Sequence, residues 1–326
     1  MEKSKGTKYY ARELFNNSGL GDAEVVTDLG IEGFYQTFMV KTKNASYIMR
    51  IFNDNDIAPE FENNLKMRND EVEIYKTLSK AKVNVPEVVF VGTDENNNKT
   101  HYILEAYDTA YPLATFTTFS DRGVALFQAG ADLARAHKIK GLGFGYEAMG
   151  LETTWDVAYK SLVDNVIADA IINDTKIDLE RIYAIIERAR PFLTKVESSL
   201  VHFSLSKAKI FVKKNGEFYQ GISGWSKTIW GDPAADFIPH GGCYPVQKNR
   251  YFIRGYRSVT PSLDFNYTFQ IRIHLMMLYL GLVMIAEPDH KHEKGSAANK
   301  KFRKKGRKYL SRAIKFLERP FPELIK

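Results

Sequence analysis

The side chains best suited to chemistry crowd into one short run. Leu200-Val201-His202-Phe203-Ser204-Leu205-Ser206-Lys207-Ala208-Lys209-Ile210-Phe211-Val212 carries an imidazole, hydroxyls and ammonium groups, and Ile222-Ser223-Gly224-Trp225-Ser226 follows it. A serine such as Ser204 is a poor base at neutral pH unless another base activates it. Lys209 is a cation, and a metal ion placed beside it is repelled. Two like charges 4 Å apart cost about 4 kcal/mol at an effective dielectric of about 20. Gly224 offers no side chain at all. Hard divalent cations need oxygen ligands, and neither Lys209 nor Gly224 supplies one from its side chain. Trp230-Gly231-Asp232-Pro233-Ala234-Ala235-Asp236 adds two acids beside a turn. Cys243 and His240, three residues apart, are too common a pairing to mark a nucleophile.

These groups need elements to position them. Tyr9 to Ser18 reads as a short amphipathic helix. Glu24–Leu29, Phe34–Thr42 and Ser46–Phe52 read as strands, the last two joined across Lys43-Asn44-Ala45. Glu71–Lys80 spaces Val72, Ile74, Tyr75 and Leu78 as a helix does. Val83–Val91 and His101–Glu105 are strand-like around the polar turn Asp94-Glu95-Asn96-Asn97-Asn98. The pattern then becomes helical over Val124–His137, Trp155–Ile172 and Asp178–Leu193. A hairpin, Ile210–Val212 with Phe218–Ile222, interrupts before helices resume from about Pro233.

The motifs resemble the aminoglycoside phosphotransferase and choline kinase-like family. The His202 run aligns with L-x-H-G-D-x-H-x-x-N followed by apolar residues, and Trp230–Asp236 with G-W-G-D-P-x-x-D. Leu133-Ala134-Arg135-Ala136-His137 with Gly143-Phe144-Gly145 is similar to L-A-x-L-H…G-F-G, and Val83-Asn84-Val85-Pro86 to V-P-V-P. The resemblance covers roughly Val25 to Tyr256. It implies an α+β, two-lobed protein-kinase-like fold. A small antiparallel β lobe occupies residues 1–106, and a larger helical lobe with the loop and a basic tail occupies 107–326.

It also implies roles. Gly30 and Gly33 stand where the family covers its nucleotide, although two glycines between strands also suit a plain turn. Arg50, in Tyr47-Ile48-Met49-Arg50-Ile51, takes the place of the cation that reaches phosphates, with Glu71 as its ion-pair partner. The other reading of that pair is a salt bridge of little energetic value. Glu105 and the following residues match the hinge whose backbone holds an adenine edge. His202, Trp225, Asp232 and Asp236 are framework. The catalytic Asp is replaced by Ser204, the metal-binding Asn by Lys209, and the metal-binding Asp by Gly224. Three losses at positions with separate jobs predict a pseudokinase that binds a small molecule, a protein or a peptide. The alternatives are repurposed chemistry in the same cleft and residual phosphotransfer. ATP or another nucleotide bound without magnesium is the cofactor to expect, if any, with Lys209 against its phosphates.

The whole chain sets bounds. Its 326 residues are enough for two domains. The longest apolar run, Ile273 to Ala286, is 14 residues, below the roughly 20 that a membrane span needs. The N-terminus shows no secretory signal, and a single cysteine excludes an internal disulfide. A cytoplasmic location is the expectation. From Pro288 onward, 13 Lys or Arg face 4 Asp or Glu. With a net charge of +7, the basic character therefore belongs to the tail, chiefly Lys300–Lys308. That tail suits an acidic partner, or is a solvated loop leading into a last helix.

Overall fold

The structure, a computed structural model, describes residues 2–32, 35–52, 71–97, 100–108, 110–115, 122–172, 175–213, 218–238, 249–286 and 296–321. Gly33, His240 and Cys243 lie outside them. The chain forms two compact units: Met1–Ala125 with Lys207–Ser226, and Leu126–Ser206 with Lys227–Lys326.

The first unit is built on a five-stranded antiparallel sheet. Its strands are β1 (Val25–Glu32), β2 (Tyr35–Lys41), β3 (Ser46–Phe52), β4 (Val88–Asp94) and β5 (Thr100–Ala106), in the order β1-β2-β3-β5-β4. Strand side chains alternate between faces, and one face of this sheet is apolar. Helix α1 (Glu2–Asn16) lays Ala11, Leu14 and Phe15 on that face against Phe38, Val40, Met49 and Leu104. Fully burying such side chains stabilises by roughly 1.5–3 kcal/mol each. Helix α2 (Glu71–Lys80) buries Val72, Ile74, Tyr75 and Leu78, as its spacing predicts, and it also buries Glu71. A three-stranded sheet completes the unit: β6 (Tyr111–Pro112), β8 (Ile210–Val212) and β9 (Tyr219–Ile222).

The second unit is mainly helical. It contains α3 (Arg122–His137) from Leu126 onward, then α4 (Trp155–Ile172), α5 (Leu179–Ala189), α6 (Arg250–Val259), α7 (Tyr267–Ala286) and α8 (Ala297–Leu317). A two-stranded ladder pairs β7 (Ser199–Val201), which leads into the Ser204 loop, with β10 (Ile229–Gly231), which leads into the Asp232–Asp236 turn. The α+β composition, an antiparallel sheet plus a larger helical part, agrees with the sequence reading.

Two expectations change here. Helix α7 runs for 20 residues because Arg272 and the polar start do not interrupt it. By length and composition it could therefore cross a membrane, which the 14-residue run did not suggest. In this fold most of the helix is buried inside the protein, as in a core helix. The basic run Lys300–Lys308 is not a loop; it lies within α8. Buried Tyr309, Ala313 and Leu317 give that helix an apolar side.

Candidate functional site

In the first unit the site is built around Arg50 of β3. Its Nη1 lies 2.7 Å from Glu71 Oε2, and its Nη2 meets Glu105 Oε1. All three residues are buried. Burial alone would make the guanidinium easier to deprotonate, but Glu105 and Glu71 outweigh it and hold Arg50 firmly cationic. Tyr35 presents its ring 4.8 Å from the guanidinium carbon. Tyr75 donates to Glu71 Oε1 at 2.7 Å, and the same oxygen accepts from the Trp225 backbone N–H at 2.9 Å. Burial, then Glu71 and Glu105, push the Tyr75 hydroxyl well above its ordinary pKa. Arg50 is thus bracketed by two carboxylates, and the cluster as a whole brings no net positive charge to a phosphate. The short Arg50–Glu71 contact is a buried bond, not an exposed one of little energetic value.

Glu105 enters this cluster through its side chain. The N–H groups of Ala106 and Tyr107 donate to Glu87 and Ser46 carbonyls at 2.9 Å. An adenine edge would have to displace a sheet hydrogen bond to use either. Gly30 falls inside β1, not in a turn, at a bulge between Asp28 and Gly30. Its φ of +86° needs glycine, and its N–H donates to Asp28 Oδ1 at 2.7 Å.

Lys209 and Gly224 meet across β8 and β9. The Ser223 N–H donates to the Lys209 carbonyl at 3.0 Å. A Cβ placed on Gly224 would lie 2.5 Å from Lys209 Nζ and 2.8 Å from its Cε. The lysine side chain therefore fills the volume into which a residue-224 side chain would project. A divalent cation does not fit this donor set, because an ammonium stands where an acid would be. Trp225, fully buried, donates from its ring nitrogen to the Ile222 carbonyl at 3.0 Å.

In the second unit Asp236 organises the loop. Its Oδ2 accepts from the His202 N–H at 2.7 Å, and its Oδ1 from the Phe203 N–H at 2.6 Å. His137 Nε2 lies 3.0 Å from Oδ2, and His137 Nδ1 is 2.8 Å from the Tyr256 hydroxyl. Burial would raise the Asp236 pKa, but His137, His202 and the backbone donors hold it below the ordinary value. His202 is buried, with Nδ1 3.2 Å from both the amide and the hydroxyl of Ser204. Asp232 caps the turn Pro233–Phe237 through the Ala234 N–H and meets Arg272 Nη1 at 3.0 Å.

Phe203 takes φ +59°. For a bulky residue that conformation costs roughly 1–2 kcal/mol. The similar family motif has glycine at this position, so the loop keeps its backbone course after losing the residue that made it easy. The two N–H bonds to Asp236 offset the strain, as does the packing of the Phe203 ring near Tyr279. Sequence reasoning had given no site role to Tyr35, Tyr75, His137 or Tyr256. Two of them had left a signal: His137 closes the L-A-x-L-H run, and Tyr75 lies four residues after Glu71 on one helix face.

A sequence-family model described as the phosphotransferase enzyme family (APH) matches residues 31–256. The chain belongs to that family. Solved structures agree on the fold. The aminoglycoside phosphotransferase APH(4)-Ia is 17% identical, with 96% of this chain and 99% of that one covered and a TM-score of 0.65. A putative fructosamine-3-kinase from Haemophilus somnus 129PT is 13% identical over 92% and 96%, with a TM-score of 0.63. The aminoglycoside 2'-phosphotransferase-IIIa, solved with GDP, is 15% identical over 94% and 98%, with a TM-score of 0.61. No curated protein sequence matches.

Proposed function

We propose that this member of the family is catalytically degenerate and serves as a cytoplasmic binding protein for a small molecule, a peptide or a protein partner. The observation that carries this reading is the Lys209 side chain lying on Gly224. Phosphoryl transfer depends on metal ions that neutralise charge on the phosphates. Here one metal-binding position has become an ammonium, and it fills the space beside the other. Ser204 stands where the family's base would be and has no carboxylate to accept a proton.

The reading does not require a nucleotide. Arg50 is matched by two acids, so of the two cations expected at the phosphates Arg50 brings no net charge, and Lys209 is the one the reading relies on. A nucleotide held this way would bind without divalent metal, and added Mg²⁺ would leave its affinity unchanged or weaken it.

The test restores the three groups together as Ser204→Asp, Lys209→Asn and Gly224→Asp. The φ of +76° at Gly224 is one that aspartate tolerates better than most residues, and Lys209→Asn clears the space. Calorimetry with Mg²⁺ and nucleotide should show metal-dependent binding in the triple variant only. The parent should turn over neither ATP nor an aminoglycoside above background. Metal-dependent nucleotide binding by the parent would overturn the proposal.

A further inference from the structure

A second concave site lies in the helical unit, away from the loop described above. Helix α8 sends Arg303, Arg307 and Ile314 to one side, spaced as one helix face requires, and Glu318, its C-cap, follows on the same side. Opposite them stand Thr175, Lys176 and the start of α5. Between them is a cavity of about 810 Å³, within the roughly 300–1,000 Å³ of small-molecule sites. Ile285 of α7 and Ile314 contribute apolar wall.

The charges around this cavity are lopsided. Arg181 is matched: its Nε and Nη2 reach Glu318 at 2.7 and 3.0 Å, which closes one end with a two-point bond. Lys176, Arg307 and Lys315 also line the cavity, and no carboxylate of the described residues pairs with them. Arg303 donates to the Thr175 hydroxyl at 3.0 Å, a neutral partner, and its Nε is buried without an acceptor. Four cations therefore converge on one concavity whose single acid is already engaged. Like charges gathered at such range repel one another, and an anion that bridges them relieves this. Arginine guanidinium groups, with planar paired donors, suit phosphate oxygens.

We propose that this cavity binds a small, multiply charged phosphate-bearing anion. Its concavity and volume favour a compact polyphosphate over a flat membrane or a nucleic-acid duplex. The proposal gives the basic C-terminal helix a definite ligand class, independent of what the Lys209 region does.

The experiment is calorimetry of the full chain with inorganic tripolyphosphate at near-physiological salt. Binding is expected. The pair Arg303→Gln/Arg307→Gln should weaken it about tenfold or more, and Arg307→Gln alone should weaken it in part. The control pair Lys301→Gln/Lys304→Gln removes the same charge from exposed positions of α8 that do not line the cavity, and should change affinity less than about twofold. Arg307 is exposed, so its single variant keeps the test open if the pair fails to fold, which circular dichroism would reveal. Equal weakening by both pairs would reduce the effect to general attraction by a basic helix and overturn the proposal. Absence of tripolyphosphate binding would overturn it too. So would binding to phosphoinositide vesicles alone, with none to tripolyphosphate.

Discussion

Asp236 shows how one buried carboxylate can hold a loop in a strained course. It accepts two backbone N–H groups and faces His137. Asp236→Asn should cost about 2–4 kcal/mol in urea unfolding at pH 7, since charged acceptors are worth more than neutral ones. The pH dependence has a definite sign. The folded pKa lies below the ordinary 3.8, so the carboxylate stabilises above that value and the contribution is lost as pH falls through the lower folded value. The gap between wild type and Asp236→Asn should therefore narrow below about pH 4. A gap constant from pH 7 to pH 3 would contradict this account. Arg50 presents the opposite case, a buried cation shared by two acids. Arg50→Met leaves Glu71 and Glu105 without it, and should destabilise by about 3–5 kcal/mol. Arg50→Lys should lose less, since it keeps a cation beside the two acids, although an ammonium cannot fork to both as a guanidinium does. If Arg50→Met costs under about 1 kcal/mol, the three residues are not a cohesive unit.

Helix packing in the second unit depends on paired glycines. Gly281 of α7 and Gly306 of α8 face each other: a Cβ on Gly306 would lie 2.7 Å from Met284 Cβ, and one on Gly281 would lie 2.8 Å from the Leu310 amide nitrogen. Gly130 of α3 and Gly255 of α6 make a similar crossing, against the carbonyls of Phe252 and Phe127. In an isolated helix alanine is better than glycine by about 1 kcal/mol. Here the sign should reverse. Gly281→Ala, whose Cβ meets backbone that cannot swing aside, is expected to lower stability by about 1–3 kcal/mol. An unchanged or raised thermal midpoint would mean that the two helices can part at little cost. The same contact holds α8 in the place from which Arg303 and Arg307 reach the cavity.

Taken entire, the chain combines a modest net charge with a strongly basic end, and an apolar helix with a buried setting. α7 carries the longest apolar stretch among the described helices, and most of it is inside. Amides that exchange only on global opening belong to the most buried elements. In native-state hydrogen exchange the amides of Phe269–Ala286 should therefore rank among the slowest in the protein. Early exchange along α7 would count against its role as a core helix.

Much of this was readable from residue order. Apolar spacing located α2 and α4 to the residue, since neighbours three and four apart share a helix face. The β-branched and aromatic residues of Ser46–Phe52, set off by the Lys43-Asn44-Ala45 turn, located β3, and the His202 and Asp232–Asp236 runs identified the family. These are local signals, carried by residues within a turn or a strand of each other. The rest concerns residues far apart in the chain. Glu105 reaches Arg50 across 55 positions because β5 lies beside β3. Lys209 covers Gly224 because β8 and β9 pair. Phe203 keeps a positive φ because Asp236, 33 residues later, holds its N–H. The lysines and arginines of the tail looked like a solvated loop because charge predicts exposure, not conformation. Burial of Tyr309, Ala313 and Leu317 made that stretch a helix and turned part of its charge toward a cavity. Composition and spacing set the elements and the family, whereas strand register and helix packing chose which charges meet.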